Sequence, residues 1–193
     1  MQGLRACMGV GCFLLNSCSQ REPVRSQTSL LLPCPEQDIS TEDAEALGRA
    51  GYAAVNKNRM GDHHSTESLN TGIPMLKKAA LHGDSVSMSR YSSLVIWYGF
   101  IDNDGTPFLG RSQWQNALEG VLFMTLAAHR DASNVGDDAE TFRVLLDPSI
   151  PYPHGFFEDG SGAAGLLDNW TPDDLDPIRQ QAYRWKDCWT ATP

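Results

Sequence analysis

Residues 72–99 read GIPMLKKAALHGDSVSMSRYSSLVIWYG. Two helical patterns meet here with little more than a glycine between them. In the first, Ile73, Leu76 and Ala79 or Ala80 recur at three- and four-residue spacing, which gathers them on one helix face. Pro74 stands near the expected start of that helix, where a missing N–H removes no intrahelical bond. Gly83 is the natural stop, because a residue without Cβ readily enters the left-handed conformation that closes many helices. In the second pattern Val86, Tyr91, Leu94, Val95 and Tyr98 suit a helix, while the run Val95, Ile96, Trp97 also suits a strand. The helical reading explains both the spacing and the abrupt glycine. The segment therefore predicts two antiparallel helices joined by a very short turn.

Outward from this hairpin the same period continues. STEDAEALGRAGYAAVNKN (40–58) has capping-box spacing from Ser40 to Asp43 and puts Ala44, Leu47, Gly51 and Ala54 or Val55 on one face, predicting a helix over 41–58. Its glycines Gly48 and Gly51 lower helicity but admit another helix at close range. RMGDHHSTESLNTG (59–72) reads as a polar connection, and FIDNDGTPFLG (100–110) as a loop with Asp-Gly and Thr-Pro turn chemistry. SQWQNALEGVLFMTLAAHR (112–130) predicts a long helix capped by Ser112, with Trp114, Leu118, Val121, Leu122, Thr125 and Leu126 inward. DDAETFRVLLD (137–147) gives a shorter helix ending before Pro148. Residues 148–169 are rich in Pro and Gly, and a structureless span of that length is often functional. The last helix opens at TPDD, with Thr171 as cap, Pro172 in the first turn and Asp174 completing the box, and Leu175, Ile178, Ala182 and Trp185 on one side. No sustained strand alternation occurs. The fold expected is all-α, a short stack of antiparallel helical hairpins with a long Pro/Gly-rich loop before the last helix.

Lys78, Ala79, Ala80 and Gly83, followed by the small Ser87, resemble a Sel1-like repeat, a relative of the tetratricopeptide repeat. Tyr91 and Ser92 depart from the family's Leu-Gly pair. A weaker echo, Leu126, Ala127 and Ala128, lies 48 positions along, beyond the family's usual period, with the loop around 102–110 as the expected insertion. The resemblance implies a stack of helix pairs that buries apolar faces between neighbours and offers an extended surface to another protein.

The chain's start carries a second resemblance. Ala6 to Leu15 is a short run without Asp, Glu or Lys, well under the roughly 20 apolar residues that span a bilayer. Leu15, Asn16, Ser17 and Cys18 then resemble a bacterial lipoprotein signal. That resemblance implies cleavage of residues 1–17, a lipid on Cys18, and sorting through Ser19 to the periplasmic side of the outer membrane. An ordinary chain terminus is the competing reading. Residues 18–39 follow as a polar, proline-containing tether, and 40–193 as the helical domain. Beyond Cys7, Cys12 and Cys18, the cysteines are Cys34 and Cys188. In an oxidising compartment they are either one disulfide joining the domain's two ends or two free thiols.

A formal charge of −9 argues against a phosphate-gripping surface of the usual basic kind, so no nucleic acid is expected as partner. His63 and Glu67 have i,i+4 spacing, but adjacent His63 and His64 point apart, so a solvated loop is preferred to a metal site. Asp102, Asp104 and Gly105 lack the rest of a calcium loop. Ser161 lies outside any Gly-x-Ser-x-Gly context, which leaves His154 without a nucleophile to serve. Asp137, Asp138, Asp173 and Asp174 stand where helix amino termini favour negative charge. No catalytic residue, metal or cofactor is assigned. Phe156, Phe157, Glu158 and Asp159 combine apolar anchors with charge, as a protein interface does, or fold back as a lid over the helices. The expected function is a lipid-anchored periplasmic module that binds another protein, with neutralisation of a secreted toxic enzyme as the specific role. An envelope scaffold or adaptor is the alternative, followed by an enzyme or small-ligand binder.

Overall fold

A computed structural model of the chain describes residues 32–61, 63–101, 107–136, 139–147, 149, 151 and 171–189. Cys18 and the segment Phe156, Phe157, Glu158 and Asp159 lie outside these, as do Asp102, Asp104, His154 and Ser161.

Ser40 starts the first helix by accepting a hydrogen bond from the Asp43 amide at 3.1 Å, and α1 runs Thr41–Asn56. Its buried face is Ala44, Gly48, Gly51 and Val55. The second helix, α2, spans Thr66–Leu81, and Ser65 caps it through the Ser68 amide. It begins well before the predicted start, so Pro74 sits in its interior. Ser65 satisfies one amino-terminal donor, and the pattern Leu69, Ile73, Leu76, Ala80 is long enough in apolar contacts to carry the helix past the donor that Pro74 lacks. Gly51 and Gly72 let α1 and α2 approach closely: a Cβ on Gly72 would lie 2.7 Å from the Val55 amide nitrogen.

The turn out of α2 is written in the sequence Ala79-Ala80-Leu81-His82-Gly83-Asp84. The Asp84 amide donates to the Ala79 carbonyl at 3.2 Å and the Gly83 amide to Ala80 at 3.0 Å, the two bonds of a Schellman closure. Gly83 adopts φ +90°, a conformation other L-residues reach only under strain. Asp84 then caps α3 (Ser85–Ile96), accepting from the Val86 and Ser87 amides at 3.3 and 3.2 Å. One aspartate thus closes the hairpin and opens its second arm. A π-helical turn, Trp97–Ile101, ends α3.

The long helix α4, Gln113–Arg130, carries the full capping box of Ser112 and Gln115. It packs on α3, where Gly120 admits Ile96. A short α5, Ala139–Val144, and the last helix, α6, Pro172–Trp185, lie against α4. Asp174 closes the α6 box by accepting from the Thr171 amide and hydroxyl, both at 2.7 Å. Leu175, Ile178, Ala182 and Trp185 are buried along α6, as the sequence predicts. Arg179, 2% exposed, reaches the carbonyls of Val144 and Asp147 and so ties α6 to the end of α5. Among the described residues there is no strand, only two isolated bridges, Met60 with His63 and Phe108 with Arg111. The architecture is all-α, built by helix on helix.

The core runs from Val55, Ile73 and Leu76 through Met88, Tyr91 and Val95 to Phe123, Leu126 and Trp185. Tyr91 meets Phe123 edge to face, with centroids 5.3 Å apart at 86°. The Trp189 ring packs against Gly83, and its indole N–H donates to the Leu81 carbonyl at 2.9 Å, covering the α2–α3 turn.

A segment ahead of α1 also belongs to the body. Residues 32–38, read from sequence as the end of a free tether, are bonded across α2 and α6. Leu32 donates its amide to Gln181 Oε1 at 2.8 Å and accepts from Gln181 Nε2 at 3.2 Å. The Trp185 indole donates to the Pro33 carbonyl at 2.8 Å. Cys34 and Cys188 are joined by a disulfide, Cα atoms 5.6 Å apart. Asp38 bonds Lys78 at 3.2 Å and His82 Nε2 at 2.7 Å. Ionisable and amide side chains on both helices thus hold the strap, a pattern that single-sequence reading does not reveal.

Candidate functional site

Side chains of α2 and of α6 border α4, and among them an apolar groove of about 560 Å³ opens. Its floor is Gln115, Leu118, Glu119, Leu122 and Phe123 of α4. The spacing 115, 118, 119, 122 is one helix face, the same period that elsewhere in this chain marks core. Lys77 and Leu81 of α2 form one wall, and Asp174, Pro177, Ile178, Gln181 and Trp185 of α6 the other, with Leu32 of the strap closing an end. Leu118 and Leu122 are half-buried, whereas Ala117 and Val121 on the other side of the same helix, and Leu126 one turn further along the same face, are fully buried. Among the described residues, α4 is therefore covered on its Ala117 and Val121 side and left open along Leu118 and Leu122. A second hollow of about 520 Å³ shares Leu32, Leu81 and Trp185, and carries the surface round the strap to Lys78 and His82.

The polar groups at the groove are mostly engaged with one another. Lys77 Nζ lies 2.6 Å from Glu119 Oε1, and Arg111 Nη1 pairs with the other oxygen of the same carboxylate. Arg111 also donates from Nε and Nη2 to Asn116 Oδ1, at 3.0 and 2.6 Å. Asn116, fully buried, passes the contact on by donating to the Phe108 carbonyl at 3.2 Å. Burial, and then the positive charge of Arg111, push the Lys77 ammonium below the usual lysine range. Burial raises the Tyr91 hydroxyl, which stays neutral beside this cluster.

The residues singled out in the sequence fall into place unequally. Ala79 and Ala80 are fully buried in the α2 face, Gly83 forms the turn, and Lys78 is on the surface against Asp38. Ser87 is buried beside Gly48, where it joins α3 to α1. These residues build the hairpin and do not line the groove. His63 is exposed, while His64 turns inward, its Nδ1 2.9 Å from the Val55 carbonyl and its ring edge-on to Tyr98. Among the described residues no group of His, Cys, Asp and Glu is placed to hold a metal ion, and no helix is long and apolar enough to cross a membrane. Sequence reasoning placed Leu118, Leu122, Ile178 and Trp185 in the core and gave no role to Lys77, Arg111 or Glu119. The signal for the groove is three-dimensional: among the described residues, side chains of α2 and α6 border α4 without closing over it. Comparison with protein-family models, with curated proteins and with solved structures returned no match.

Proposed function

We propose that this protein is a non-catalytic binding module that takes an amphipathic helix of another polypeptide into the groove along α4. The observation that carries the reading is the shape of that groove: a floor at i, i+3, i+4, i+7 with a helix on either side is the slot an additional helix would fill. A ridge of leucines on the incoming helix would meet Leu118, Leu122 and Ile178, burying apolar surface at about 25 cal/mol per Å². Among the described lining residues there is no Ser, Cys or His, and the Glu119 carboxylate is occupied at both oxygens. That pattern favours recognition over acid–base or nucleophilic chemistry.

The Sel1-like resemblance supports the same class of function, and the lipoprotein resemblance at Leu15 to Cys18 adds an anchor at the periplasmic face of the outer membrane. The Cys34–Cys188 bond suits an oxidising compartment. Within that setting the role we propose is neutralisation of a secreted toxic enzyme, with the groove holding one of its helices. The test is co-purification from solubilised envelopes with quantitative mass spectrometry, comparing the native chain with Leu122→Arg. A stoichiometric protein recovered with the first and lost with the second is expected. Recovery that is equal with both, or no stoichiometric protein with either, refutes the reading.

A further inference from the structure

We propose that the groove selects a helix bearing an acidic side chain on the border of its apolar stripe, and that Lys77 is the residue that reads it. This rests on the helix-binding reading above and names the chemistry of the partner.

Charge arithmetic at one wall carries the inference. Lys77 and Arg111 both contact Glu119, so two cations share one carboxylate. Asn116 and Tyr91, the other partners of Arg111, are a neutral amide and a neutral phenol, the Tyr91 ring lying 5.9 Å from Lys77 Nζ. Among the described residues the cluster therefore keeps one positive charge in excess. The groove's other carboxylate, Asp174, stands on the opposite wall and is fixed by Thr171 as the cap of α6. The Lys77 side chain is 39% exposed and lines the groove, and an ammonium has three donors of which Glu119 occupies one. Burial first, and then the positive charge of Arg111, lower the basicity of Lys77. A carboxylate brought in beside the leucines of a bound helix would supply that charge in a partly desolvated place, where a pair is stronger than at the open surface.

The whole molecule argues the other way, which makes the test sharp. A chain of net charge −9 attracts cationic partners at long range. At about 0.15 M salt that attraction is screened beyond about 8 Å, and local pairing decides the ranking. Three synthetic peptides of about 18 residues, the length of α4, would share one leucine stripe and differ only at its borders, which carry Glu, Gln or Lys. Their affinity for the full chain is measured by fluorescence anisotropy. The Glu peptide should bind about five-fold more tightly than the Gln peptide, with the Lys peptide weakest. Lys77→Gln should flatten the ranking and Lys77→Glu reverse it, both with an unchanged cooperative melt.

Tightest binding of the Lys peptide to the native chain, or an unaltered ranking in Lys77→Glu, overturns the proposal. Equal affinity for all three peptides, abolished by Leu122→Arg, removes the charge selection and leaves the groove reading standing. Failure of every peptide to bind removes both.

Discussion

Replacing both cysteines of the strap, as Cys34→Ser with Cys188→Ser, tests how much of the stability lies in the unfolded chain. The disulfide spans 154 residues. For a loop of that length the chain-entropy relation gives about 17 cal/mol/K, or about 5 kcal/mol at 25 °C, withdrawn from the denatured ensemble. In the native state the strap has other attachments: the Leu32 bonds to Gln181, the Trp185 indole on Pro33, and Asp38 on Lys78 and His82. The folded variant should therefore keep its helical circular dichroism, and the loss should appear almost wholly as a lower midpoint. In a chain of this size each kcal/mol moves the melting midpoint by about 2–4 °C, so a drop of about 10–20 °C is expected. Urea titration should also give a steeper transition for the variant, since its unlinked denatured chain exposes more surface. Thiol labelling of the native protein before unfolding should leave Cys34 and Cys188 unmodified. A midpoint within about 2 °C of the parent would refute the reasoning, because no entropic constraint of this size can then be acting.

Two further outcomes follow from local geometry. Gly83→Ala forces a side chain into φ +90° and sets its Cβ 2.8 Å from the Trp189 ring, so chemical denaturation should show a loss of about 2–3 kcal/mol together with a red shift of tryptophan emission. Asp38 is held below the usual carboxylate range first by its hydrogen bond from Lys78, so its contribution is full above its unfolded value near 3.8 and disappears as pH falls through the lower folded value. Asp38→Asn should lower the midpoint at neutral pH and flatten the acid limb below about pH 5; an acid limb that stays as steep as the parent's would show that this pair contributes nothing.

Local signals made much of the fold legible. Thr171, Pro172 and Asp174 announce α6, Ser112 with Gln115 announces α4, and Gly83 marks the hairpin, because caps and stops are set by neighbours in sequence. The start of α2 differs from its local cue for the same reason. Pro74 is a strong local cue for a helix opening, yet packing of Leu69, Ile73 and Leu76 extends the helix ahead of it to Thr66. The groove was not legible, because an apolar face that meets the core and one that the described residues leave uncovered have identical periodicity. Leu122 and Leu126 are indistinguishable by spacing, though one is half-buried and the other wholly so. The Lys77, Arg111 and Glu119 cluster joins residues from α2, the turn ahead of α4 and α4 itself, and no pattern within a helix turn connects them. The Cys34–Cys188 pairing was one of two readings that counting left open, and the structure joins the two sulfurs.

The covalent staple between the strap and the end of the last helix also fixes a load path. A pull on the chain ahead of Leu32, opposed at its far end beyond Trp189, travels from Cys34 straight to Cys188 and leaves every helix between them off the line of tension. Such a body can be tugged by its two ends without being unravelled from α1 onward, while Leu32 and Pro33, which precede Cys34, carry the tension themselves.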